Sequence, residues 1–470
     1  MPHWASARIR SPLSRADRRA RSGRNALPDN RLAFIDQASF LGLRATGQGQ
    51  VVQCVWVYGR AIDLDGLRRF QRNLGHGLLG RRIERSPLPF ARHRWVACRA
   101  PSVIDIAEDP RPREGLSAWA DERAELPVDP EGGPAWHLGV VPFTDGTTAI
   151  SLVVSHTVAD GLGLCVAIAD AVEGNTRDFG YPPPHWRGRT RAVLQDARQT
   201  ARGTPEIART LVAAARLARR RRGDIAKSRT PPRAAGLGGD ELVRVPAITI
   251  HIDQSDWDLR AKALGGTSNS LFAGFAAKLA ERCGRRRAGD GAVTLSFPVS
   301  DRTEHDTRAN ALSFATFAVE PMRVTADLRD VRAAIKHALR SLREAPDESL
   351  RLLPLTPLTP KRAVQRLADL AFVYTDLPVG CSNLGDLDPA VGRPDGSDAD
   401  QVFLRLREQR VTRGSLERSH GQLFLGSGRT GGKVFITVVG HQPGSADSKA
   451  ALRGLAAQTL TEFDLQGTID

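Results

Sequence analysis

A basic stretch near the middle of the chain separates two segments that each mix strand and helix patterns. It spans residues 182–238, opens with three consecutive prolines and ends a few residues after a second proline run. A chain of 470 residues also exceeds what one hydrophobic core usually serves. We therefore expect an N-terminal lobe over residues 31–181, a basic Pro/Arg-rich linker over 182–238 and a C-terminal lobe over 239–470.

Within the two segments, short apolar runs and helical periodicities follow one another without strict strand–helix–strand alternation. Residues 144–147 (Thr-Asp-Gly-Thr) favour a hairpin between two of the runs. The predicted strands are Val51–Tyr58, Leu138–Phe143, Thr148–His156, Leu242–His251, Val293–Val299 and Val434–Val439. The predicted helices are one carrying Leu67, Phe70 and Leu74, and Leu162–Val172, Ser270–Arg282, Leu328–Arg343 and Ser445–Phe463. This mixture indicates the α+β class.

The composition is globular, with 41% apolar and 25% charged residues, but the net charge is +15. Such a charge suits an anionic lipid or a phosphate-bearing substrate. No helix-turn-helix, zinc-finger or aromatic RNA-binding pattern accompanies it, so we expect no nucleic-acid partner. Five single cysteines and the lack of a long apolar run predict a cytoplasmic protein with reduced thiols. Residues 1–30 lack an apolar core and are expected to form a disordered basic tail, not a secretory signal.

The linker contains one amphipathic helical pattern. Ile207, Leu211, Ala214 and Ala218 recur at helical spacing beside the basic run Arg219–Arg222. One interpretation is a solvated helix that spans the two lobes. The other is that residues 207–222 bind an anionic membrane surface, which would place the protein at the inner membrane face or at lipid bodies.

His156 is the strongest candidate for chemistry. The alternation of Thr148–His156 puts it on the apolar face of a strand, at the point where the chain leaves the sheet. Partial desolvation there lowers the pKa of the imidazole and keeps it neutral, as a general base must be. Asp160 lies just before the next predicted helix, and Gly161 permits a tight entry into it. Two structural interpretations remain. His156 can be a core histidine whose hydrogen bonds are all made within the protein, and Asp160 can be only the N-cap of the helix.

Residues 133–138 (Gly-Pro-Ala-Trp-His-Leu), the hairpin and residues 156–161 (His-Thr-Val-Ala-Asp-Gly) together resemble the bacterial wax ester synthase/diacylglycerol acyltransferase family. That family belongs to the superfamily of chloramphenicol acetyltransferase and the condensation domains of peptide synthetases. Further agreement comes from residues 32–36 (Leu-Ala-Phe-Ile-Asp), 297–302 (Phe-Pro-Val-Ser-Asp-Arg), 308–313 (Arg-Ala-Asn-Ala-Leu-Ser) and 381–385 (Cys-Ser-Asn-Leu-Gly). Two departures indicate a divergent member: Ser155 replaces the first of two family histidines, and Ala309 replaces a glycine.

The resemblance implies two chloramphenicol-acetyltransferase-like lobes, with mixed sheets flanked by helices and an active-site tunnel between them. His156 would take the proton from the acceptor as it attacks an acyl thioester. Asp160 would hold the loop by pairing with an arginine, for which Arg302 is the first candidate, with Arg82 or Arg85 behind it. The polar residues that can stabilise the oxyanion or line the tunnel are Ser300, Asn310, Ser382 and Asn383.

Three functions follow from these observations. The first is transfer of an acyl group from acyl-CoA, as co-substrate, to the hydroxyl of a lipid or a long-chain alcohol. The second is a condensation-type acyltransferase that takes its acyl group from an acyl carrier protein and uses an amine or alcohol. The third is a catalytically silent binding module. We expect a monomer without a metal or a bound cofactor.

Overall fold

The computed structural model describes residues 29–98, 103–227, 239, 241–303, 305–344, 350–364, 377–444 and 448–470. Within them, a five-stranded sheet, a seven-stranded sheet and a two-stranded ribbon carry helices on their faces. Both large sheets contain parallel and antiparallel pairs. The predicted α+β class with mixed sheets is therefore confirmed. Residues 1–28 of the predicted tail lie outside the described residues.

The elements have the following bounds. The strands are β1 Gly49–Tyr58, β2 Arg81–Glu84, β3 Arg94–Ala97, β4 Ile104–Ile106, β5 Trp136–Pro142, β6 Thr148–Ser155, β7 Ala247–Asp253, β8 Val293–Ser300, β9 Leu312–Val319, β10 Val379–Asp386, β11 Gln401–Gln409, β12 Gln422–Thr430, β13 Lys433–His441 and β14 Gly467–Ile469. The helices are α1 Phe34–Thr46, α2 Leu64–Leu74, α3 Leu116–Glu125, α4 Gly161–Glu173, α5 Arg189–Lys227, α6 Gln254–Ala263, α7 Ser268–Arg282, α8 Arg329–Glu344, α9 Arg413–Arg418 and α10 Lys449–Glu462. A 3₁₀ segment covers Leu350–Leu358.

The five-stranded sheet has the order β11-β1-β6-β5-β4. Its two central strands, β1 and β6, are almost wholly buried, which explains their near-continuous apolar sequence. Helices α2 and α4 pack together, and Trp56 of β1 meets Phe70 of α2 edge to face with ring centroids 6.1 Å apart. This core makes the end of β6 a rigid platform.

The seven-stranded sheet has the order β14-β7-β13-β12-β10-β8-β9. Helix α7 covers it with a face that is apolar all along, including the fully buried Phe272 and Phe275. Thr267 begins α7 with a capping box, which satisfies the first backbone donors of the helix. The sheet therefore fixes the positions of β8 and β10. Four predicted site residues lie in or just after these strands: Ser300, Arg302, Ser382 and Asn383.

Strand β11 crosses the predicted lobe boundary. It comes from the C-terminal segment but pairs antiparallel with β1 from Gly49↔Gln409 to Val57↔Gln401. The Thr437 hydroxyl of β13 donates to the Leu404 carbonyl at 3.1 Å, which ties β11 to the other sheet as well. The boundaries at residues 181 and 239 stay predictions, but the N-terminal sheet is completed by a strand from beyond both.

Within the predicted linker, Arg189–Lys227 form the long helix α5, which begins well before the predicted amphipathic stripe. Asp196 of α5 is buried and accepts hydrogen bonds from Arg94 at 2.9 Å and Arg187 at 2.8 Å. The first part of α5 is therefore attached to the N-terminal lobe and is not a free spacer. Further on, Leu211 is 54% exposed, and the side chains of Ala218 and Arg220–Arg222 lie outside the described residues. Membrane binding by residues 207–222 stays a prediction.

Most predicted elements appear within a few residues of their expected bounds. The strand predicted from Leu242 is wrong at its start, since β7 begins at Ala247. Pro246 directly before it has no N–H to donate to a neighbouring strand. In the ranges given above, we find no helix with the length and apolarity needed to span a bilayer.

Candidate active site

His156 follows directly on β6. Its backbone N–H donates to the Gln50 carbonyl of β1 at 2.8 Å, so the ladder between the two strands continues one residue past β6. The chain then turns, and the Val158 N–H donates to the Ser155 carbonyl at 3.0 Å. His156 keeps some exposure, whereas Ser155 and residues 157–160 are buried. The fold thus presents the imidazole at the end of a rigid strand.

The Asp160 carboxylate holds the turn that follows. Its Oδ1 accepts from the Gly163 N–H at 2.7 Å, so Asp160 is the N-cap of α4, as the sequence predicts. Its Oδ2 accepts from the Ala311 N–H at 2.9 Å and from Arg302 Nη2 at 2.8 Å. The side chain is only 1% exposed. With three donors on two oxygens, this carboxylate is committed to structure.

Arg302 is therefore the partner of Asp160 that the resemblance implies. Its Nη1 donates to the Arg308 carbonyl at 3.1 Å, and its Nη2 also donates to the Ala309 carbonyl at 2.9 Å. The Asp160 N–H donates to that same Ala309 carbonyl at 2.9 Å. Together these bonds fasten the segment after β8 to the turn after β6, and so join the two halves of the chain at the site.

Close packing at this junction requires small residues. A Cβ on Gly163 would lie 3.0 Å from both Arg302 Nη2 and Asp160 Oδ1. A Cβ on Gly161 would lie 3.1 Å from Leu384 of β10. Gly163 thus has the stricter steric need, although Gly161 is the glycine of the motif.

Asn310 lies against His156 and is held by Asp36 of α1. The Asp36 carboxylate is fully buried and accepts from the backbone N–H groups of Ala309 at 3.0 Å and Asn310 at 2.9 Å. Asn310 Nδ2 donates to the Asp36 carboxylate and to the His156 carbonyl, both at 3.3 Å. Asp36 thus holds the segment that contacts His156. The sequence named Asp36 only within the family-like segment 32–36 and did not predict this contact.

Burial lowers the pKa of the His156 imidazole below its ordinary range. The negative charge of Asp160, the imidazole's own backbone carbonyl and the Asn310 side chain oppose that shift without reversing it. The imidazole is therefore neutral at physiological pH and able to accept a proton, which is what the strand-end position predicts.

Arg81 is a supporting residue that sequence reasoning missed. It is fully buried, stacks on Trp95 at 3.8 Å, and donates to the Val158 carbonyl at 3.0 Å within the turn after His156. The two arginines named as alternatives lie elsewhere: Arg82 donates to the Gly132 carbonyl, and Arg85 pairs with Glu131. Nothing in the local sequence sets Arg81 apart from its arginine neighbours.

The remaining predicted residues lie around this centre with different contacts. Ser300 Oγ accepts from the Arg302 N–H at 3.2 Å, which shapes the turn that carries Arg302. Asn383 Nδ2 donates to Asn269 at the start of α7, at 3.2 Å. Ser382 occupies the neighbouring position of β10, opposite Gly426 of β12. An oxyanion or tunnel-lining role for Ser300, Asn310, Ser382 or Asn383 stays a prediction.

A cavity of about 360 Å³ lies beside the Asp160–Arg302 junction. It is lined by the end of α2, the outer face of α4 and the segment after β8, with Leu162, Asp170, Ser300 and Arg302 among its lining residues. His156 does not line it, so a tunnel that reaches the imidazole stays a prediction. Among the described residues, no cluster of three His, Cys, Asp or Glu side chains is arranged to hold a metal ion.

No protein-family model and no curated protein matches this sequence. Solved structures do match. The first condensation domain of the CDA synthetase aligns at 13% identity and a TM-score of 0.55, covering 94% of this chain and 100% of that one. The wax ester synthase/diacylglycerol acyltransferase from Marinobacter aquaeolei VT8 aligns at 14% identity and a TM-score of 0.51, covering 92% and 98%. Polyketide synthase associated protein 5 from Mycobacterium tuberculosis aligns at 15% identity and a TM-score of 0.50, covering 92% of this chain and 97% of that one.

At this level of identity the likeness shows the fold. The chain has the two-lobed fold of condensation domains and chloramphenicol-acetyltransferase-like acyltransferases. The alignments extend over nearly the whole chain in each case, so both lobes take part in the likeness. The fold class predicted from the sequence is confirmed.

Proposed function

We propose that this protein is an acyltransferase that moves an acyl group from a thioester to an acceptor hydroxyl, with His156 as the general base. The observation that supports it most is the imidazole itself. It lies at the end of a buried strand, its pKa is lowered by burial, and the turn beside it is held by Asp160 and Arg302. A rigidly held neutral base is what proton abstraction from an acceptor needs.

The two ring nitrogens take different roles in this proposal. In the neutral imidazole one nitrogen carries a proton, and the other is free to accept the acceptor's proton as its oxygen attacks the thioester carbon. Collapse of the tetrahedral intermediate breaks the carbon–sulfur bond, and the imidazolium returns the proton to the leaving thiolate. No acyl-enzyme forms, because the acceptor attacks the thioester directly.

Acyl-CoA is the first candidate donor, and a lipid or a long-chain alcohol is the first candidate acceptor. The second candidate function is a condensation-type reaction with an acyl carrier protein as donor and an amine or alcohol as acceptor. Two observations favour this alternative: the likeness to a condensation domain and the net charge of +15. A basic surface suits an acidic carrier protein.

The experiment is a free-thiol release assay over acyl-CoA donors of different chain length and an acylated carrier protein. Each donor is tested with and without alcohols, diacylglycerol and amines. We expect acceptor-dependent thiol release, and a loss of about a hundredfold or more in His156→Ala. His337→Ala on the exposed face of α8 is the matched control and should retain the wild-type rate.

The result can also contradict the proposal. His156→Ala with more than about a tenth of the wild-type rate would exclude this residue as the base. Wild-type protein that binds acyl-CoA but releases no thiol with any acceptor would instead support the silent binding module.

A further inference from the structure

Three polar residues lie in one row across the N-terminal sheet. Gln50 of β1 lies opposite Glu408 of β11 on one side. On its other side lies His156, whose N–H donates to the Gln50 carbonyl at 2.8 Å. Directly opposed residues of antiparallel strands project to the same face of a sheet. Glu408, Gln50 and His156 therefore share one face, at the end where the chain turns away from β6.

This row lies where the buried core gives way to the solvent-exposed end of the sheet. The next row on the same face consists of Leu406, Val52 and Val154, which are apolar, and the two valines are buried. In the polar row, by contrast, Gln50 is exposed, and Glu408 and His156 are partly exposed. A molecule that reaches His156 over the end of the sheet would therefore meet Gln50 and Glu408.

Glu408 has hydrogen-bonding capacity to spare. Its Oε1 accepts from Gln50 Nε2 at 3.0 Å. Over the described ranges, the structure shows neither a donor to Oε2 nor a basic side chain paired with this carboxylate. The adjacent Arg407 projects to the opposite face, where it donates to the Val245 carbonyl at 2.8 Å. Burial raises the pKa of Glu408, while the Gln50 hydrogen bond and the positive charge of Arg407 oppose that shift.

We infer that Glu408, positioned by Gln50, is an acceptor-binding residue that recognises a second hydrogen-bond donor, an ammonium or a hydroxyl, on the molecule whose nucleophile His156 activates. The inference rests on the proposed acyl transfer and narrows its acceptor. A carboxylate without a directly paired basic side chain is complemented by a charged or polar donor and not by an alkyl chain.

The spacing of the strands sets the length of that acceptor. Neighbouring strands lie about 4.8 Å apart, so β11 and β6 are separated by about 10 Å across β1. A nucleophile at His156 and a donor group at Glu408 are thus several bonds apart. Bifunctional acceptors such as 6-aminohexan-1-ol and hexane-1,6-diol span this distance, and hexan-1-ol has the same length without the second donor.

The test compares kcat/KM for these three acceptors in the wild type and in Glu408→Gln, which keeps an oxygen for the Gln50 bond and removes the charge. In the wild type, we expect 6-aminohexan-1-ol to be preferred over hexan-1-ol. In Glu408→Gln, kcat/KM for 6-aminohexan-1-ol relative to hexan-1-ol should fall about tenfold or more. The kcat/KM for hexane-1,6-diol relative to hexan-1-ol should fall less. Glu417→Gln on α9 is exposed and should leave both ratios at wild-type values.

A second measurement separates this inference from the proposed function. Binding of 6-aminohexan-1-ol without an acyl donor is followed by saturation-transfer NMR for the wild type, Glu408→Gln and His156→Ala. Binding that is weakened in Glu408→Gln but not in His156→Ala supports the acceptor site. If no acceptor promotes thiol release in that case, only the proposed function fails. Unchanged kcat/KM ratios in Glu408→Gln, or binding that is equal in the wild type and Glu408→Gln or undetectable in both, overturn the inference.

Discussion

The Asp160 carboxylate and the Arg302 guanidinium lie 2.8 Å apart although the two residues are 142 positions apart in the sequence. Both are nearly inaccessible to solvent, at 1% and 9% exposure. The same carboxylate caps α4 and accepts from Ala311, so one side chain fixes the turn after His156 relative to the segment after β8. The geometry of the candidate site therefore depends on a contact between the two halves of the chain.

We predict that Asp160→Asn lowers stability and activity together. An amide has one acceptor oxygen, whereas the carboxylate serves three donors on two oxygens, and the new NH₂ group would face donors. Because the pair is buried, we expect a loss of about 3 kcal/mol or more in the free energy of unfolding, measured by denaturant unfolding. Asp327→Asn, which weakens the exposed Asp327–Arg329 pair, is the control and should leave the free energy of unfolding nearly unchanged.

The opposite outcome is just as informative. If Asp160→Asn abolishes turnover while the unfolding curve and the turn geometry stay as in the wild type, Asp160 takes a direct part in the chemistry. The structure argues against that role, because both carboxylate oxygens already accept from donors of the fold and the side chain is only 1% exposed.

Gly163→Ala tests the steric side of the same junction. A methyl group there would lie 3.0 Å from both members of the ion pair, so we expect destabilisation of about 1–3 kcal/mol and reduced turnover. Gly454→Ala on α10 is the matched control, since no atom lies within 4 Å of its added Cβ. That variant should gain up to about 1 kcal/mol, because alanine favours a helix over glycine. Equal effects of the two substitutions on thermal unfolding would contradict this account.

Local patterns predicted much of the fold. Alternation in Thr148–His156 and helical spacing in Leu162–Val172 depend on residues close in sequence, and β6 and α4 follow them closely. The pairing of β11 with β1 could not be predicted in this way, because strand periodicity does not specify which sheet a strand joins. The partner of Asp160 came from the resemblance of residues 297–302, not from any local pattern.

The supporting residues of the site were harder to predict. Asp36 and Arg81 act through backbone groups of Asn310 and Val158, which leave no mark on the sequence. Arg81 stands among several arginines, and only its burial distinguishes it from Arg82 and Arg85. Contacts of this kind depend on the packed structure and not on residue type or spacing.

The pH dependence of turnover should follow from the lowered pKa of His156. An imidazolium cannot accept a proton, so kcat/KM falls only below the folded-state pKa. We expect a flat profile from neutral pH through the ordinary histidine value of about 6.5, with the decline at lower pH. An inflection at or above that value would contradict the direction of the shift.

The same group should affect stability. The unfolded chain takes up its proton near the ordinary pKa, before the folded chain does, so acidification below about 6.5 favours unfolding. The stability of the wild type relative to His156→Ala should therefore decrease as the pH falls from 7.5 to 5, measured by thermal unfolding of both proteins at each pH.

Membrane binding through α5 should depend on anionic lipid. Leu211 and Val212 are 54% and 51% exposed on this helix, beside a basic run whose attraction to anionic vesicles decreases with salt. We expect flotation with anionic vesicles, weaker with neutral ones and weaker for the double variant Leu211→Ser/Val212→Ser. Equal flotation with both vesicle types, or none with either, would indicate that the exposed part of α5 is only solvated.

Ser155, which stands where the related family has its first histidine, should contribute packing and not chemistry. It lies opposite Val51, on the other face of β6 from Val154, and is 3% exposed. Its Oγ accepts from the Thr157 N–H at 3.4 Å, a distance at which a hydrogen bond is weak.

Ser155→Ala should therefore keep turnover within a few-fold of the wild type, whereas Ser155→His should lower the melting temperature more than the rate, because a ring must enter a filled site. Thiol release and thermal unfolding of both variants provide the test. If Ser155→Ala is inactive at an unchanged melting temperature, Ser155 takes part in the reaction. If Ser155→His gives activity to an inactive wild type, the loss of this histidine silenced the enzyme.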